Sequence, residues 1–254
     1  IYCEPEQVEG EIHRFFEMMQ EVYGALGFEG VSYAVSTRPE KFLGEAADWE
    51  RAERALVGAV ESAGFPCSIK PGEGVFYGPK IECDVRDVIG RIWTLGTLQI
   101  DMAMPSRFSL RYIGRDGGEH QPAMLHRAIL GSLERFIALY IEHTKGDFPL
   151  WLAPVQVAVL PIADRHAEYG AKVHSALEQA GLRAALDARA EKLGFKIREA
   201  ELQKVPVMVV VGDQEASAGT VNPRWRRARE SRPESVAVDA FVSDLVGRVA
   251  RREA

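Results

Sequence analysis

The sequence lacks any apolar run long enough to span a membrane. A spanning helix needs about 20 apolar residues in a row, whereas one of the longest runs here is VPVMVVV, residues 205–211. No signal peptide is visible at the start of the sequence either. We therefore expect no association with a membrane.

Cysteine and excess positive charge are also scarce. The three cysteines, Cys3, Cys67 and Cys83, are widely spaced and include no CxxC pair. This pattern excludes a disulfide framework and favours free thiols in a reducing compartment, so we expect a cytoplasmic protein. The net charge of −6 excludes a general polyanion binder, and any contact with nucleic acid then requires a local basic patch.

What is present is typical of a soluble globular protein. Apolar residues make up 46% and charged residues 27% of the 254 residues, a length that allows two domains with real cores. The first residue is Ile1 rather than methionine, so we expect the sequence to be part of a longer product. We find no internal repeat, no Ser/His/Asp nucleophile arrangement and no complete metal-ligand cluster.

The first part of the chain combines amphipathic helices with a succession of strands. A period near 3.6 predicts helices over residues 4–28 and 48–65, with Asp48 as the N-cap of the second helix, and a short strand over 31–36 between them. The period then changes to 2, and strands are predicted over residues 79–87, 91–104, 107–114 and 122–130, followed by a helix over 132–143. Strands in succession without intervening helices favour an antiparallel sheet.

Strands and helices alternate in the second part of the chain. Strands are predicted over residues 155–162, 182–189 and 205–212, and helices over 164–181, 192–204 and 236–253. This alternation is typical of a small α/β domain with a mostly parallel sheet. We place the domain boundary near residue 152, which gives domains 1–152 and 153–254.

The segment MLHRAILGSLERF, residues 124–136, carries two polar side chains in apolar surroundings. A strand that ends at Gly131 and a helix capped by Ser132 would put His126 on a strand face and Arg135 in the first helical turn. A cation opposes the helix dipole there, and an anion such as a phosphate would satisfy both the cation and the free N–H groups. The alternative is a hydrogen-bonded core histidine and an exposed surface arginine.

Two further patterns each allow a functional and a plain interpretation. Lys80, Glu82 and Asp84 share one face of their predicted strand, and Thr97, Gln99 and Asp101 share one face of the next strand. These faces suit a polar substrate, but they could equally be solvated. The segment RWRRARESR, residues 224–232, holds five arginines and a tryptophan and could bind phosphates and bases, or form a solvated loop.

Seven segments taken together closely resemble threonyl-tRNA synthetase: GEGVFYGPKIECDVRD, GTLQID, MLHRAILGSLERF, WLAPVQV, EKLGFKIRE, VPVMVVVGDQE and RWRR. They follow the order and spacing of that family of class II aminoacyl-tRNA synthetases over essentially the whole chain. The resemblance implies an α+β antiparallel-sheet class II catalytic domain, incomplete here, followed by a small α/β anticodon-binding domain. It also implies an aminoacyl-tRNA ligase that joins threonine to tRNA at the expense of ATP.

The resemblance assigns a role to individual residues. Arg135 would hold the phosphates of ATP, and Lys80 would lie near the active centre. Tyr77, Thr97, Gln99, Asp101 and Ser132 would form the substrate pocket. His126 would be one of three zinc ligands, the zinc binding the amino and hydroxyl groups of threonine, and magnesium would accompany ATP. Glu215, Arg224, Arg226 and Lys192 would contact tRNA.

The sequence also departs from the family pattern. Motifs 1 and 2 of the class are not found, so we expect the motif 2 arginine and two zinc ligands upstream of this sequence. We therefore predict that the fragment alone is inactive and, since the family's dimer interface lies largely in motif 1, that it is monomeric although the parent protein is a homodimer. Thr94 and Leu95 replace the usual Gln-Cys pair, and Ala190 replaces an asparagine.

These departures leave two rival interpretations. One is a catalytically inactive or divergent synthetase-like paralogue that binds RNA or regulates. The other is a duplicate that still charges tRNA in the presence of an inhibitor of the ordinary enzyme. A prolyl- or glycyl-tRNA synthetase is disfavoured by His126 within MLHRAILGS.

Overall fold

The structure is a computed structural model that describes residues 1–28, 30–226 and 234–253. The chain folds into two compact units, residues 1–143 and 144–254. Among the described residues, no helix is both long and apolar enough to cross a membrane. Cys3, Cys67 and Cys83 are free thiols, as predicted.

The first unit is a six-stranded sheet covered by helices. Its elements are β1 (Tyr2–Cys3), α1 (Val8–Ala25), β2 (Ser32–Ser36), α2 (Ala46–Ser62), β3 (Cys67–Lys70), β4 (Lys80–Arg86), β5 (Ile92–Asp101), α3 (Met104–Arg107), β6 (Tyr112–Ile113), β7 (Glu119–His120), β8 (Ala123–Ala128) and α4 (Leu133–Thr144). The strand order is β1-β8-β5-β4-β2-β3, and β6 and β7 form a separate hairpin. All neighbours in the large sheet are antiparallel except β2 and β3, because α2 crosses over between these two strands.

Several local predictions for this unit were wrong. Strand β3 was not predicted, and the strand predicted over residues 107–114 is reduced to the two residues of β6. A short helix, α3, forms just before β6. Pro105 favours its first turn, because the N–H that proline lacks would have no partner within the helix there. Helix α2 begins at Ala46 with Glu45 in the N-cap position, so Asp48 lies inside it. Strand β8 ends at Ala128, before the predicted stop at Gly131.

The two faces of the large sheet differ in character. Helix α1 buries Phe15, Phe16 and Met19, and Phe16 lies edge-on to Tyr33 of β2, at 5.2 Å between ring centroids. Tyr33 pairs in register with Cys83 of β4, so this is the apolar face, and each buried aromatic side chain contributes about 1.5–3 kcal/mol to stability. The opposite face carries the polar side chains of β4 and β5.

The second unit is a five-stranded sheet with helices on both faces. Its elements are β9 (Val157–Pro161), α5 (Ala167–Gln179), β10 (Ala184–Leu186), α6 (Leu193–Leu202), β11 (Val207–Val211), α7 (Asp213–Ala218), β12 (Thr220–Trp225), β13 (Val236–Ala237) and α8 (Val238–Ala250). The strand order is β10-β9-β11-β12-β13. β10, β9 and β11 are parallel, and the two remaining strands are antiparallel additions that the sequence did not predict.

The core of the second unit has two apolar layers. Val157, Val159 and Val209 pack with α5 and α8 on one face, whereas Ala158 and Met208 pack with α6 on the other. A strand that is buried on both faces has apolar residues at successive positions. VAVLP and VMVVV therefore show no alternation of polar and apolar residues. Leu150 belongs to the first of these layers.

Candidate functional site

One row of polar side chains crosses the first sheet from edge strand β3 to β8. Neighbouring strands bring Lys70, Ser36, Lys80, Gln99 and His126 into register, each opposite the next. Residues directly opposite each other in a sheet project from the same face. Lys80, Gln99 and His126, all predicted site residues, therefore share one face of the sheet, and Thr97 of β5 shares that face because it is two residues from Gln99.

His126 lies in a polar cluster at the end of β5. Its Nε2 is 2.8 Å from Oδ2 of Asp101, and its ring centroid is 5.5 Å from that of Tyr77. The hydroxyl of Tyr77 donates a hydrogen bond to Oε1 of Gln99. Burial, with the charge of Asp101, raises the pKa of Tyr77. The structure thus brings together three residues predicted for the substrate pocket and the predicted zinc ligand, His126.

Asp101 also ends the strand on which it lies. Its Oδ1 accepts hydrogen bonds from the backbone N–H groups of Ala103, at 3.0 Å, and Met104, at 2.8 Å. An aspartate that binds the backbone two residues ahead favours a turn over continued strand. The carboxylate is buried, while 40% of the His126 side chain is exposed, so the imidazole is the accessible member of this pair.

The His126–Asp101 pair fits one ligand of a zinc site. Histidines that bind a metal through one ring nitrogen generally hold a carboxylate or carbonyl on the other. A zinc site needs three or four protein ligands, and among the described residues no group of three His, Cys, Asp or Glu side chains could hold a metal. These residues alone therefore do not form a zinc site.

Two lysines and two carboxylates fill the polar face beside this cluster. Lys80 and Lys70 each form an ion pair with Glu82, and Lys70 also reaches Oδ2 of Asp84 at 2.6 Å. The hydroxyl of Thr94 donates a hydrogen bond to Asp84. Burial on its own would raise the pKa of Glu82, but hydrogen bonds from the two lysines lower it. Glu82 and Asp84 are buried. Around these two side chains, the face is therefore not solvated, which was the alternative interpretation.

Arg135 lies in the first turn of α4, as predicted. Its backbone N–H is 3.4 Å from Oγ of Ser132, which occupies the predicted cap position. Its guanidinium lies over the ring of Trp93, with Cζ 5.3 Å from the ring centroid. In the described part of the chain Arg135 forms no ion pair, so its positive charge is available to an anion.

Sequence reasoning missed three residues around this site. Lys70 lies on the unpredicted strand β3. Trp93 and Asp87 belong to the β4–β5 hairpin, where the Trp93 indole donates a hydrogen bond to the Asp87 carboxylate at 3.0 Å. The sequence did indicate the polar faces of β4 and β5. That Lys70 lies on the same face of the sheet follows only from the register of β3 with β2.

The predicted tRNA contacts in the second unit differ in exposure. Lys192 is exposed at the N-cap position of α6, and Arg224 is exposed on β12. Arg224 lies opposite Met208, which packs under α6, so Arg224 and α6 are on the same side of this sheet. Arg226 is ion-paired with Asp147.

Glu215 and the arginine-rich segment complete the predicted contacts. Glu215 is buried in α7, and its carboxylate accepts a hydrogen bond from the N–H of Gly212 at 2.9 Å. Arg224 and Trp225 belong to β12. The rest of the arginine-rich segment, residues 227–232, lies outside the described residues.

Two family models match this chain. The model described as "tRNA synthetase class II core domain (G, H, P, S and T)" matches residues 1–144. The model described as "Anticodon binding domain" matches residues 156–248. The predicted fold class is confirmed. The exact boundary near residue 152 stays a prediction, because neither model covers residues 145–155.

Curated relatives are named threonine–tRNA ligases. The chain is 49% identical to that of Syntrophotalea carbinolica over 235 residues, which are 92% of this chain and 37% of the relative. It is 48% identical to that of Alkalilimnicola ehrlichii over 251 residues, 99% of this chain and 39% of the relative. The chain therefore spans less than two fifths of the length of these relatives.

Solved structures support the same family. A structure described as the RNA binding domain of threonyl-tRNA synthetase from Cryptosporidium parvum has a TM-score of 0.92 at 36% identity, covering 97% of this chain and 62% of that one. A putative threonyl-tRNA synthetase from Aeropyrum pernix has a TM-score of 0.80 at 27% identity, covering 99% and 62%. The predicted resemblance to threonyl-tRNA synthetases is confirmed, and the chain belongs to the class II tRNA synthetases of the G, H, P, S and T group.

Proposed function

We propose that this chain is the part of a threonine–tRNA ligase that contains the polar face of the catalytic sheet and the anticodon-binding domain. The observation that carries the proposal is the convergence of Tyr77, Gln99, Asp101 and His126 at the end of β5. Threonine is a small polar substrate, and a cluster of donors and acceptors held by neighbouring strands and one turn suits it. The ligase would join threonine to ATP, release pyrophosphate and transfer the threonyl group to tRNA in the cytoplasm.

Arg135 is assigned to the ATP phosphates. Its guanidinium has no carboxylate partner in the described part of the chain, and the residue lies in the first turn of α4, where the helix dipole favours an anion. Both features favour a phosphate. Magnesium would accompany the nucleotide and neutralise further charge on it.

Lys80 is a second cation near the reacting groups. It is held by Glu82 on the same face as Gln99. Thr97, on the same face, and Ser132, next to Arg135, are assigned to the walls of the substrate site. These side chains position reactants and stabilise charge, and no protein nucleophile is required.

His126 is assigned as one zinc ligand, with the remaining ligands outside the described residues. Zinc bound there would recognise the hydroxyl group of threonine, which valine lacks. An apolar pocket alone would discriminate between these two amino acids only about a hundredfold. Asp101 holds the imidazole in a fixed orientation for that role. Because the described residues supply one zinc ligand and no motif 2 arginine, we expect this chain alone to give no threonine-dependent ATP–pyrophosphate exchange.

The second unit is assigned to tRNA. Lys192 and Arg224 present exposed cations, Arg226 directly follows the strand of Arg224, and Glu215 lies in α7, just before that strand. Arginine on a sheet face suits phosphate and base contacts alike.

The nucleotide assignment is tested by ATP binding to the 254-residue chain, measured by isothermal titration calorimetry. Arg135→Gln should weaken ATP binding at least tenfold, as loss of a phosphate-bound guanidinium typically does. The matched control is Arg127→Gln, since Arg127 is an exposed arginine next to His126 on β8 but on the opposite face of that strand. Equal ATP affinities of Arg135→Gln and the unsubstituted chain would contradict the assignment.

The inactive, RNA-binding paralogue remains a second candidate because of Thr94. The hydroxyl of Thr94 donates a hydrogen bond to Asp84. Under this alternative, Thr94 does not make the contact to ATP that the family's usual Gln-Cys pair would make. Under this alternative the chain binds threonine tRNA but shows no ATP binding that depends on Arg135. The same titration therefore separates the two candidates.

A further inference from the structure

The side chain of Asp87 is buried inside the β4–β5 hairpin and binds four N–H donors. Its Oδ1 accepts from the backbone of Ile89 at 3.1 Å and of Arg91 at 2.8 Å. Its Oδ2 accepts from Nε of Arg91 at 2.6 Å and from Nε1 of Trp93 at 3.0 Å. Burial on its own raises the pKa of this carboxyl, but hydrogen bonds from Trp93 and Arg91 outweigh it and lower the pKa to about 2.

The indole of Trp93 connects this hairpin to α4. The guanidinium carbons of Arg91 and Arg135 lie 5.4 Å and 5.3 Å from its ring centroid. Arg91 is neutralised by Asp87, whereas Arg135 has no carboxylate partner in the described part of the chain. Trp93 therefore holds the Arg135 guanidinium by a cation–π contact, while the positive charge of Arg135 stays available to an anion.

We propose that Asp87 is a positioning residue for Arg135 and acts through the indole of Trp93. The inference rests on the proposed function, in which Arg135 binds the phosphates of ATP. A free arginine side chain samples many rotamers, and a cation–π contact to an indole of fixed orientation reduces that freedom before the nucleotide arrives. Asp87 restricts the indole because its Oδ2 accepts the hydrogen bond of Trp93 Nε1.

The chemistry of the site requires a carboxylate at residue 87. All four groups that face it are N–H donors, so each oxygen has to accept two hydrogen bonds. An asparagine would present its own NH₂ group to one pair of donors, which breaks the contact to Trp93 Nε1 or the contacts to the hairpin backbone. Asp87→Asn is thus a nearly isosteric change that should weaken the hydrogen bonds by which the hairpin orients the indole.

The first test needs no nucleotide. In a ¹⁵N-resolved NMR spectrum of the chain, the Trp93 Nε1–H signal is identified by its loss in Trp93→Phe, and the Arg135 Nε–H signal by its loss in Arg135→Gln. Asp87→Asn should shift both signals, because Arg135 lies in the ring current of Trp93. A shift of Trp93 without any shift of Arg135 would overturn the proposal. Trp93→Phe, which lacks the N–H but keeps a ring, provides a second, milder break and should also shift the Arg135 signal.

The second test compares ATP with adenosine, which lacks the phosphates. Asp87→Asn should weaken ATP binding about threefold to tenfold and leave adenosine binding unchanged, whereas general damage to the fold would weaken both. In a Trp93→Phe background, Asp87→Asn should have no further effect on ATP. The matched control is Asp116→Asn, since Asp116 also accepts hydrogen bonds within its own hairpin, from Gly118 and His120.

The outcomes distinguish this proposal from the proposed function. If Arg135→Gln does not weaken ATP binding, the assignment of Arg135 to the nucleotide fails, and the NMR shifts alone decide whether Asp87 positions it. If Arg135→Gln weakens ATP binding but Asp87→Asn does not, the nucleotide assignment stands and the positioning role of Asp87 is overturned.

Discussion

The imidazole of His126 and the carboxylate of Asp101 are 2.8 Å apart, Nε2 to Oδ2, on neighbouring antiparallel strands. The second oxygen of the same carboxylate ends β5 by binding the N–H groups of Ala103 and Met104. One buried side chain thus sets both the orientation of the candidate metal ligand and the point at which the strand stops. The site and the fold are therefore coupled at Asp101.

Asp101→Ala should destabilise the first unit by about 2–5 kcal/mol, because it leaves two backbone N–H groups and the imidazole without their acceptor. Asp101→Asn should cost less, since its amide oxygen still accepts from Ala103 and Met104. Urea unfolding of the chain measures the difference. Asp116→Ala, which removes an exposed carboxylate from the β6–β7 hairpin, serves as the control and should change stability by less than about 1 kcal/mol. Equal costs for the alanine substitutions at residues 101 and 116 would rule out this account.

Glu82 should make the stability of the first unit sensitive to acid. Hydrogen bonds from Lys70 and Lys80 lower its pKa in the folded chain despite burial. A carboxyl with a lowered folded pKa contributes stability above its unfolded pKa of about 4.3, and this contribution is lost as the pH falls through the folded value. Unfolding midpoints between about pH 5 and about pH 3 should therefore fall more steeply for the unsubstituted chain than for Glu82→Gln.

The control for this measurement is Glu50→Gln, which removes an exposed carboxylate of α2. It should keep the steep pH dependence of the unsubstituted chain. At neutral pH, Glu82→Gln should already be less stable, because it leaves two partly buried lysines without a shared partner. If the unfolding midpoints of Glu82→Gln and of the unsubstituted chain fall in parallel as the pH is lowered, protonation of Glu82 does not cause the loss of stability in acid.

Most of the architecture could be predicted from periodicity, and the failures have local causes. The alternation in KIECDVR and the 3.6-residue period of the first helix predicted β4 and α1 within a few residues. The strand predicted from residue 107 failed because Asp101 and Pro105 start a helical turn just before it. Two-residue strands such as β13 carry no periodicity that could be recognised.

The candidate site was predictable only in part. His126 and Arg135 were recognisable because polar groups stand out in the apolar segment MLHRAILGSLERF. Lys70 was not, because its place in the row depends on the parallel register of β2 and β3, which is a long-range property of the sheet. The link from Arg135 to Trp93 joins a helix to a distant hairpin, and spacing in the sequence carries no signal for such a contact.

Gly78 and Gly58 should respond to alanine with opposite signs. A Cβ on Gly78 would lie 1.6 Å from the carbonyl oxygen of Ile100, whereas Gly58, exposed in α2, has open space around it. Gly58→Ala should therefore stabilise by about 0.5–1 kcal/mol through helix propensity. Gly78→Ala should destabilise by more than about 2 kcal/mol, because the turn that carries Tyr77 has to move away from β5.

Urea unfolding and threonine binding together check this prediction. The displaced turn should separate Tyr77 from Gln99, so any threonine affinity of the chain should fall in Gly78→Ala and stay unchanged in Gly58→Ala. Stabilisation by alanine at both positions would mean that the close approach of Gly78 to Ile100 is not required by the fold.

Arg224→Ala should weaken the binding of threonine tRNA about tenfold, since an arginine that contacts a base or phosphate typically contributes at this level. Arg251→Ala is the matched control, because Arg251 is an exposed arginine at the end of α8 that is paired with Glu253. Filter binding or fluorescence anisotropy at several salt concentrations separates two roles for Arg224. If Arg224 contacts a phosphate, Arg224→Ala should reduce the slope of log K against log salt by about one for every tRNA sequence. If it contacts a base, Arg224→Ala should remove the preference for the threonine anticodon over a substituted one. If Arg224→Ala and Arg251→Ala bind tRNA equally well, Arg224 has no part in the interface.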